Sequence, residues 1–232
     1  TGEAPEIARH VFREMGIDKM EGVLTEFGAL IPGLKAKRFD VIAAGMYITP
    51  ERCKEVTFSN PTYGIGEGFI VKKNNPKNLN SYEDVASHDI AKLGVVAGTV
   101  EIGYAKALGI PSHRLLIFPD ALAALAGVRS NRVDAIAATS LTVQNLLNRA
   151  KDKNIERAKP FYDPVIKGKE TIGYGAFALR KEDKKLVQAL NNGLAKFLGT
   201  QRHQEMVRPF GFTKNELPGN KAANELCAVN KP

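Results

Sequence analysis

A chain of 232 residues with 44% apolar and 25% charged side chains can bury the cores of one or two globular domains. No apolar run approaches the roughly 20 residues of a membrane-spanning helix, and no signal-peptide pattern opens the chain, as expected of a mature or truncated form. The net charge of +8 is spread through every segment, with only short pairs such as Lys72-Lys73 and Lys184-Lys185, so it reads as solvated surface and excludes a nucleic-acid footprint.

Taken in order, Ile7, Val11, Phe12 and Met15 fall on one helix face that Gly16 closes. Residues 20–25 suit a strand. A second helix is expected over 26–36, where Phe27, Leu30, Ile31 and Leu34 recur at i, i+3, i+4 and i+7. Phe27 sits in its first turn, either in the core or facing a cleft.

The stretch 39–61 is the focus. Phe39, Val41, Ile42, Ala43 and Ala44 make one buried strand, which Gly45 is expected to break. Thr49-Pro50-Glu51-Arg52 then reads as a helix start, with Thr49 as N-cap and Pro50 at the first helical position. Such a corner directs backbone N–H groups outward, and Arg52 adds a planar fork matched to a carboxylate. From these residues alone Arg52 could equally be a solvated helix residue, and Tyr47 a core aromatic.

Beyond it, 64–71 is extended and 72–81 is a polar loop. Ser81 caps a short helix, 91–96 is a strand ending at Ala97-Gly98-Thr99, and a helix runs to Leu108 with Gly109 as its C-cap. A strand over 114–118 leads to Asp120, which caps a helix with Leu122, Leu125 and Val128 inward. The strand 133–138 precedes a helix over 140–150. Residues 171–179 are extended, and the last large helix covers 182–199. Strands alternating with helices in this way predict mostly parallel sheets.

The stretch 37–44 echoes 131–138: Arg, Asp, Ile, Ala and Ala recur at the same relative positions. Two copies do not make a solenoid. They point to two α/β lobes, and the glycine-bearing segments 62–68 and 171–177 bracket the second. The expected division is 1–65 with 175–232 as a discontinuous lobe and 66–174 as a continuous one.

The four histidines are dispersed and the two cysteines lack a metal-binding spacing, so neither metal nor cofactor is expected. Cys53 and Cys227 would be free thiols in a cytosolic chain and a pair in an exported one.

The residues DVIAAGMYITPERCKEVTFSNP at 40–61, GVVAGT at 94–99, RVDAIAATS at 132–140 and PFGF at 209–212 resemble the type II solute-binding proteins of ABC importers. TEFGALIPGL at 25–34, Tyr47 and the two cysteines bring the resemblance nearest to the ectoine/hydroxyectoine-binding members. It implies a two-lobed, type II periplasmic-binding-protein-like α/β fold with a ligand held between lobes that close by a hinge. It also implies an extracytoplasmic monomer delivering a small zwitterion to a membrane permease. Arg52 falls on the arginine that clamps the ligand carboxylate. Gly45 and Tyr47 fall on positions presenting backbone groups, and Gly98 and Thr99 on a helix start that reaches the same carboxylate. Phe27 and Tyr47 match aromatics that pack on a cationic ring, and the cysteines match a disulfide.

Two departures from the pattern bear on the ligand. Polar amino-acid binders usually carry an acid where this chain has Thr139, and without it rings hold a delocalised cation better than a compact ammonium. The family's first strand and first ligand-contacting loop would precede Thr1. Betaine or amino-acid binding is the alternative within the family. A dehydratase-like enzyme and a membrane-anchored sensor module are the alternatives outside it. The enzyme would need titratable groups in a cleft, and the acids that can be placed nearby, Glu67 and Glu101, read as solvated surface.

Overall fold

The computed structural model describes residues 2–228, so Thr1 and 229–232, at the ends of the expected first lobe, lie outside it. The chain forms two compact units. The first comprises Thr1–Thr25, Ala29–Gly64 and Gly173–Pro232; the second comprises Glu26–Gly28 and Ile65–Ile172. The short piece with Phe27 groups with the second unit, not with the first as its place in the chain suggests. Gly28 explains this, because its backbone lies against Gly98, where an added Cβ would come within 2.7 Å of the Gly28 Cα.

The first unit opens with α1 (Glu3–Glu14), which buries Ile7, Ala8, Val11 and Phe12. Residues 17–26 form no regular element, and Val23 and Leu24 are exposed, so the strand expected at 20–25 is absent. The expected helix over 26–36 is a 3-10 turn at Phe27–Ala29 followed by α2 (Leu30–Lys35). Pro32 lacks an N–H, and Gly33 lies against the Phe39 ring, 2.7 Å from where a Cβ would sit. Strand β1 (Ile42–Tyr47) continues through Gly45 and is not broken there. Gly45, at φ +62°, absorbs an irregularity in register between Ile42 and Met46. Then come α3 (Pro50–Cys53), β2 (Thr57–Phe58) and β3 (Tyr63–Ile65).

The second unit contains β4 (Glu67–Lys72), α4 (Tyr82–Ser87), β5 (Leu93–Val96) and α5 (Glu101–Ala107). It continues with β6 (Leu115–Phe118), α6 (Ala121–Arg129), β7 (Ala135–Thr139) and α7 (Ser140–Ala150). The short strands β8 (Ile155–Arg157), β9 (Val165–Ile166) and β10 (Lys169–Glu170) complete it. Its five-stranded sheet has the order β6-β5-β7-β4-β8. Only the β5–β6 and β5–β7 pairs are parallel; β4 runs antiparallel to β7 and β8. Side-chain alternation sends Phe69, Val71, Leu93 and Ala135 to one face under α4 and α5. Ile70 and Ile136 go to the other face with Leu125, Val128, Val143 and Leu146 of α6 and α7. Leu122, expected inward, is 69% exposed at the start of α6, whose buried residues are Ala124, Leu125, Gly127 and Val128. Arg114 is buried, and its guanidinium collects the carbonyls of Val85, Ala86 and Ala91, closing the C-terminal end of α4.

The chain re-enters the first unit through β11 (Gly173–Leu179), followed by α8 (Lys184–Phe197), α9 (Gln201–Val207) and α10 (Ala223–Ala228). Strand β11 pairs antiparallel with β1 and β2, so this sheet also departs from the parallel expectation. The alternation rule covers strands joined by a crossover helix. It fails for β4 and β11, which enter their sheets without one. Phe177 and Leu179 pack with Ile7, Val11, Leu190, Leu194 and Phe197 in one core. Cys53 at the end of α3 is bonded to Cys227 in α10, with a Cα–Cα separation of 5.8 Å.

Candidate functional site

In the first unit the focal turn folds as its residues dictate. The Thr49 hydroxyl accepts from the Arg52 N–H at 3.2 Å, and Pro50 opens α3. The Arg52 side chain folds back so that Nη1 donates to the Tyr47 carbonyl at 2.8 Å, holding the half-buried guanidinium beside the end of β1. Tyr47 is 4% exposed, and its ring lies against Gly173, where a Cβ would come within 1.7 Å of it. Tyr63 meets the Tyr47 ring edge-on at 6.3 Å and donates its O–H to the Gly45 carbonyl at 2.8 Å. The Gly45 carbonyl therefore serves this tyrosine. Phe212 adds a ring 5.1 Å from Tyr63. Arg52, Tyr47 and Gly45 are thus brought together around one strand end.

In the second unit Phe27, half-buried, stands beside the 97–99 turn through Gly28. Gly98 is at φ +78°, a conformation that only glycine adopts without cost. Both Thr99 donors turn back on the Val96 carbonyl, the hydroxyl at 2.9 Å and the N–H at 3.3 Å. Helix α5 starts two residues later than Thr99, at Glu101. Thr139 caps α7: its oxygen accepts from the Thr142 N–H at 3.3 Å and it bonds the Thr142 hydroxyl at 2.8 Å. Its hydroxyl serves the helix, which makes it a poor substitute for a carboxylate facing a cation.

Several neighbours were not picked out from the sequence. Tyr63 and Phe212 join the ring cluster, Tyr174 lies against Gly64, and the signal was available in the alternation Tyr63-Gly64-Ile65-Gly66 and Gly173-Tyr174-Gly175. Each of these glycines except Gly66 faces an aromatic ring that a Cβ would strike. Glu67 and Glu101, expected on the solvated surface, are only 2% and 4% exposed. Glu67 shares its face of β4 with Phe69 and Val71, so period two already put it inward. Burial first, then the neighbouring carboxylates of Glu101 and Asp163, push the Glu67 carboxyl well above the usual range. Burial, then the carboxyls of Glu67 and Glu101, also raise the Tyr82 hydroxyl.

A groove of about 620 Å³ in the second unit is walled by Gln144, Lys151, Asp152 and Arg157, and contains none of the candidate residues. Its charged, open lining does not supply the aromatic and backbone groups gathered above. Among the described residues no histidine, cysteine or carboxylate group forms a metal-ligating set.

The sequence pattern of the bacterial extracellular solute-binding proteins, family 3, matches residues 1–213. The probable amino-acid ABC transporter periplasmic-binding protein y4tE of Sinorhizobium fredii is 38% identical over 231 residues, 98% of this chain and 76% of that protein. The ABC transporter arginine-binding protein 1 of Escherichia coli is 28% identical over 180 residues, 78% of this chain and 69% of its own. Among solved structures, EhuB in complex with hydroxyectoine superposes with a TM-score of 0.87 at 32% identity, covering 99% of this chain and 87% of that one.

Proposed function

The chain belongs to the bacterial extracellular solute-binding proteins, family 3, and on that premise we propose that it captures a zwitterionic compatible solute, ectoine or hydroxyectoine, and delivers it to the membrane permease of an ABC importer. It works outside the cytoplasm, as a monomer and without a cofactor. The observation that carries the reading is the Arg52 turn. A guanidinium fixed by the Tyr47 carbonyl beside a wall of tyrosine rings suits a ligand with a carboxylate at one end and a diffuse cation at the other.

Thr139 supports the choice of cation. With a neutral hydroxyl tied into the cap of α7, a compact ammonium has no carboxylate partner there. A ring cation needs fewer directed acceptors and gains about 0.5–2 kcal/mol from each aromatic face it meets. Amino-acid binding is the second reading, favoured by the names of y4tE and the arginine-binding relative. The non-enzymatic reading is supported by the relatives, which are solute-binding proteins of ABC transporters.

Competition calorimetry with ectoine, hydroxyectoine, glycine betaine, glutamine and arginine tests the assignment. Ectoine or hydroxyectoine should bind most tightly, with glycine betaine as the nearest competitor. Tight binding of glutamine or arginine with no heat from ectoine would overturn the solute class and leave the second reading.

A further inference from the structure

Helix α3 is a single turn that carries Arg52 and Cys53, and it buries no residue. Ile48 before it and Val56 after it are buried, and none of the side chains at 49–55 between them is. A turn this short is not stable by itself, and no core packing of its own fixes where it sits. The crosslink to Cys227 can, because the helix at its other end is tied to the core. In α10, Ala223 and Cys227 stand one turn apart on one face. The Ala223 N–H donates to Asn60 Oδ1 at 3.2 Å, and the Asn60 N–H donates to Asn191 Oδ1 of α8 at 2.7 Å. Ser59, fully buried beside Asn60, is bonded twice to Phe177 of β11. Its N–H donates to the Phe177 carbonyl at 2.9 Å, and its hydroxyl accepts the Phe177 N–H at 3.1 Å. A line of contacts thus runs from the core of the first unit through Asn60 and α10 to Cys53, one residue from Arg52.

We propose that α10 and the Cys53–Cys227 bond are positioning elements of the solute site, bracing the α3 turn so that the Arg52 guanidinium is preset for a carboxylate. The Thr49 cap and the Arg52–Tyr47 hydrogen bond shape the turn from within residues 47–52. Lys181, on the Lys54 carbonyl, and Lys35, on the Glu55 carboxylate, reach the segment from a distance, but both are exposed and on long flexible stems. The crosslink is the stiff tie. Ordering one long side chain on binding lowers affinity by about two- to tenfold, and a braced α3 removes that cost in advance. The consequence for affinity rests on the reading of Arg52 as the carboxylate anchor; the bracing of α3 does not.

The test compares wild type with Cys53→Ser/Cys227→Ser in the full chain. Hydrogen exchange with mass spectrometry follows peptides spanning 50–57 without solute, and calorimetry uses ectoine and glutamine, each of which carries a carboxylate. Breaking the bond should speed exchange of this segment about tenfold and weaken affinity about two- to tenfold. In an Arg52→Ala background, with no fork left to preset, the same cysteine replacement should change affinity by less than about twofold, whereas a merely structural crosslink would weaken both backgrounds alike. Asn60→Ala removes the acceptor for Ala223 and keeps the bond. It should shift exchange and affinity in the same direction to a smaller extent, and it serves where the serine variant folds poorly. Equal losses in both backgrounds, unchanged exchange in both variants, or faster exchange with affinity intact would overturn the proposal. Arg52→Ala binding as tightly as wild type would overturn the anchor reading as well. Coupling seen with glutamine, with no heat from ectoine, would support the bracing and count against the solute class alone.

Discussion

Glu3 offers a measurement that depends on no ligand. It lies in the first turn of α1, 7% exposed, with the Thr62 side chain as a hydrogen-bond partner. Burial pushes its carboxyl up from 4.5 to about 7, and the Thr62 hydrogen bond offsets only part of this. Below 4.5 both folded and unfolded chains hold the proton, and the stability is complete. Between 4.5 and about 7 the folded chain keeps a proton that the unfolded chain has released, so stability falls as pH rises and the contribution is gone above about 7. The span of about 2.5 units, at about 1.4 kcal/mol each, amounts to about 3 kcal/mol. The N-terminus of α1 favours a carboxylate by about 0.3–1 kcal/mol, too little to reverse the sign. Glu3→Gln keeps the neutral form at every pH. Urea unfolding should find the variant within about 0.5 kcal/mol of wild type near pH 4.5, and about 2–3 kcal/mol more stable than wild type near pH 8. Taking the difference between the two proteins removes the contribution of Glu67 and Glu101, which both share. Parallel stability curves for the two proteins would refute the reasoning.

Arg52→Ala should weaken solute binding by about 2–5 kcal/mol, because it strands the ligand carboxylate; an affinity within a few-fold of wild type by calorimetry would place the anchor elsewhere. Replacing Cys53 and Cys227 by serine removes a crosslink between positions 174 apart and should lower unfolding stability by about 5 kcal/mol in the chain-entropy model, read from urea midpoints. Unchanged midpoints would show that the unfolded chain is no freer without the bond. Gly173→Ala puts a Cβ inside the Tyr47 ring position and should cost at least about 1–3 kcal/mol of stability, with a matching loss of affinity as the ring shifts. A variant as stable as wild type would show that the ring is not held by Gly173.

Local chemistry made much of this protein legible in advance. The Thr49 and Asp120 caps, Pro50 at a helix start and the span of α7 are set by neighbours in the chain, and the structure shows them as read. The stretch around Arg52 was legible for the same reason, since its cap and its turn lie within a few residues. Tertiary structure decided whatever depends on partners distant in sequence. Gly45 ends no strand, because β11 pairs along both sides of the irregularity. Residues 20–25 find no neighbouring strand and stay irregular, whatever their local preference. The direction of β4 and β11 followed from how the chain enters each sheet, which composition and periodicity do not encode. The hydroxyls of Thr99 and Thr139 were committed to Val96 and Thr142 only by the turns they occupy. Glu67 and Glu101 carry the same lesson most sharply. A carboxylate reads as surface by its charge alone, and only the packing of α4 and α5 over one face of the sheet takes both out of water and sets them against each other.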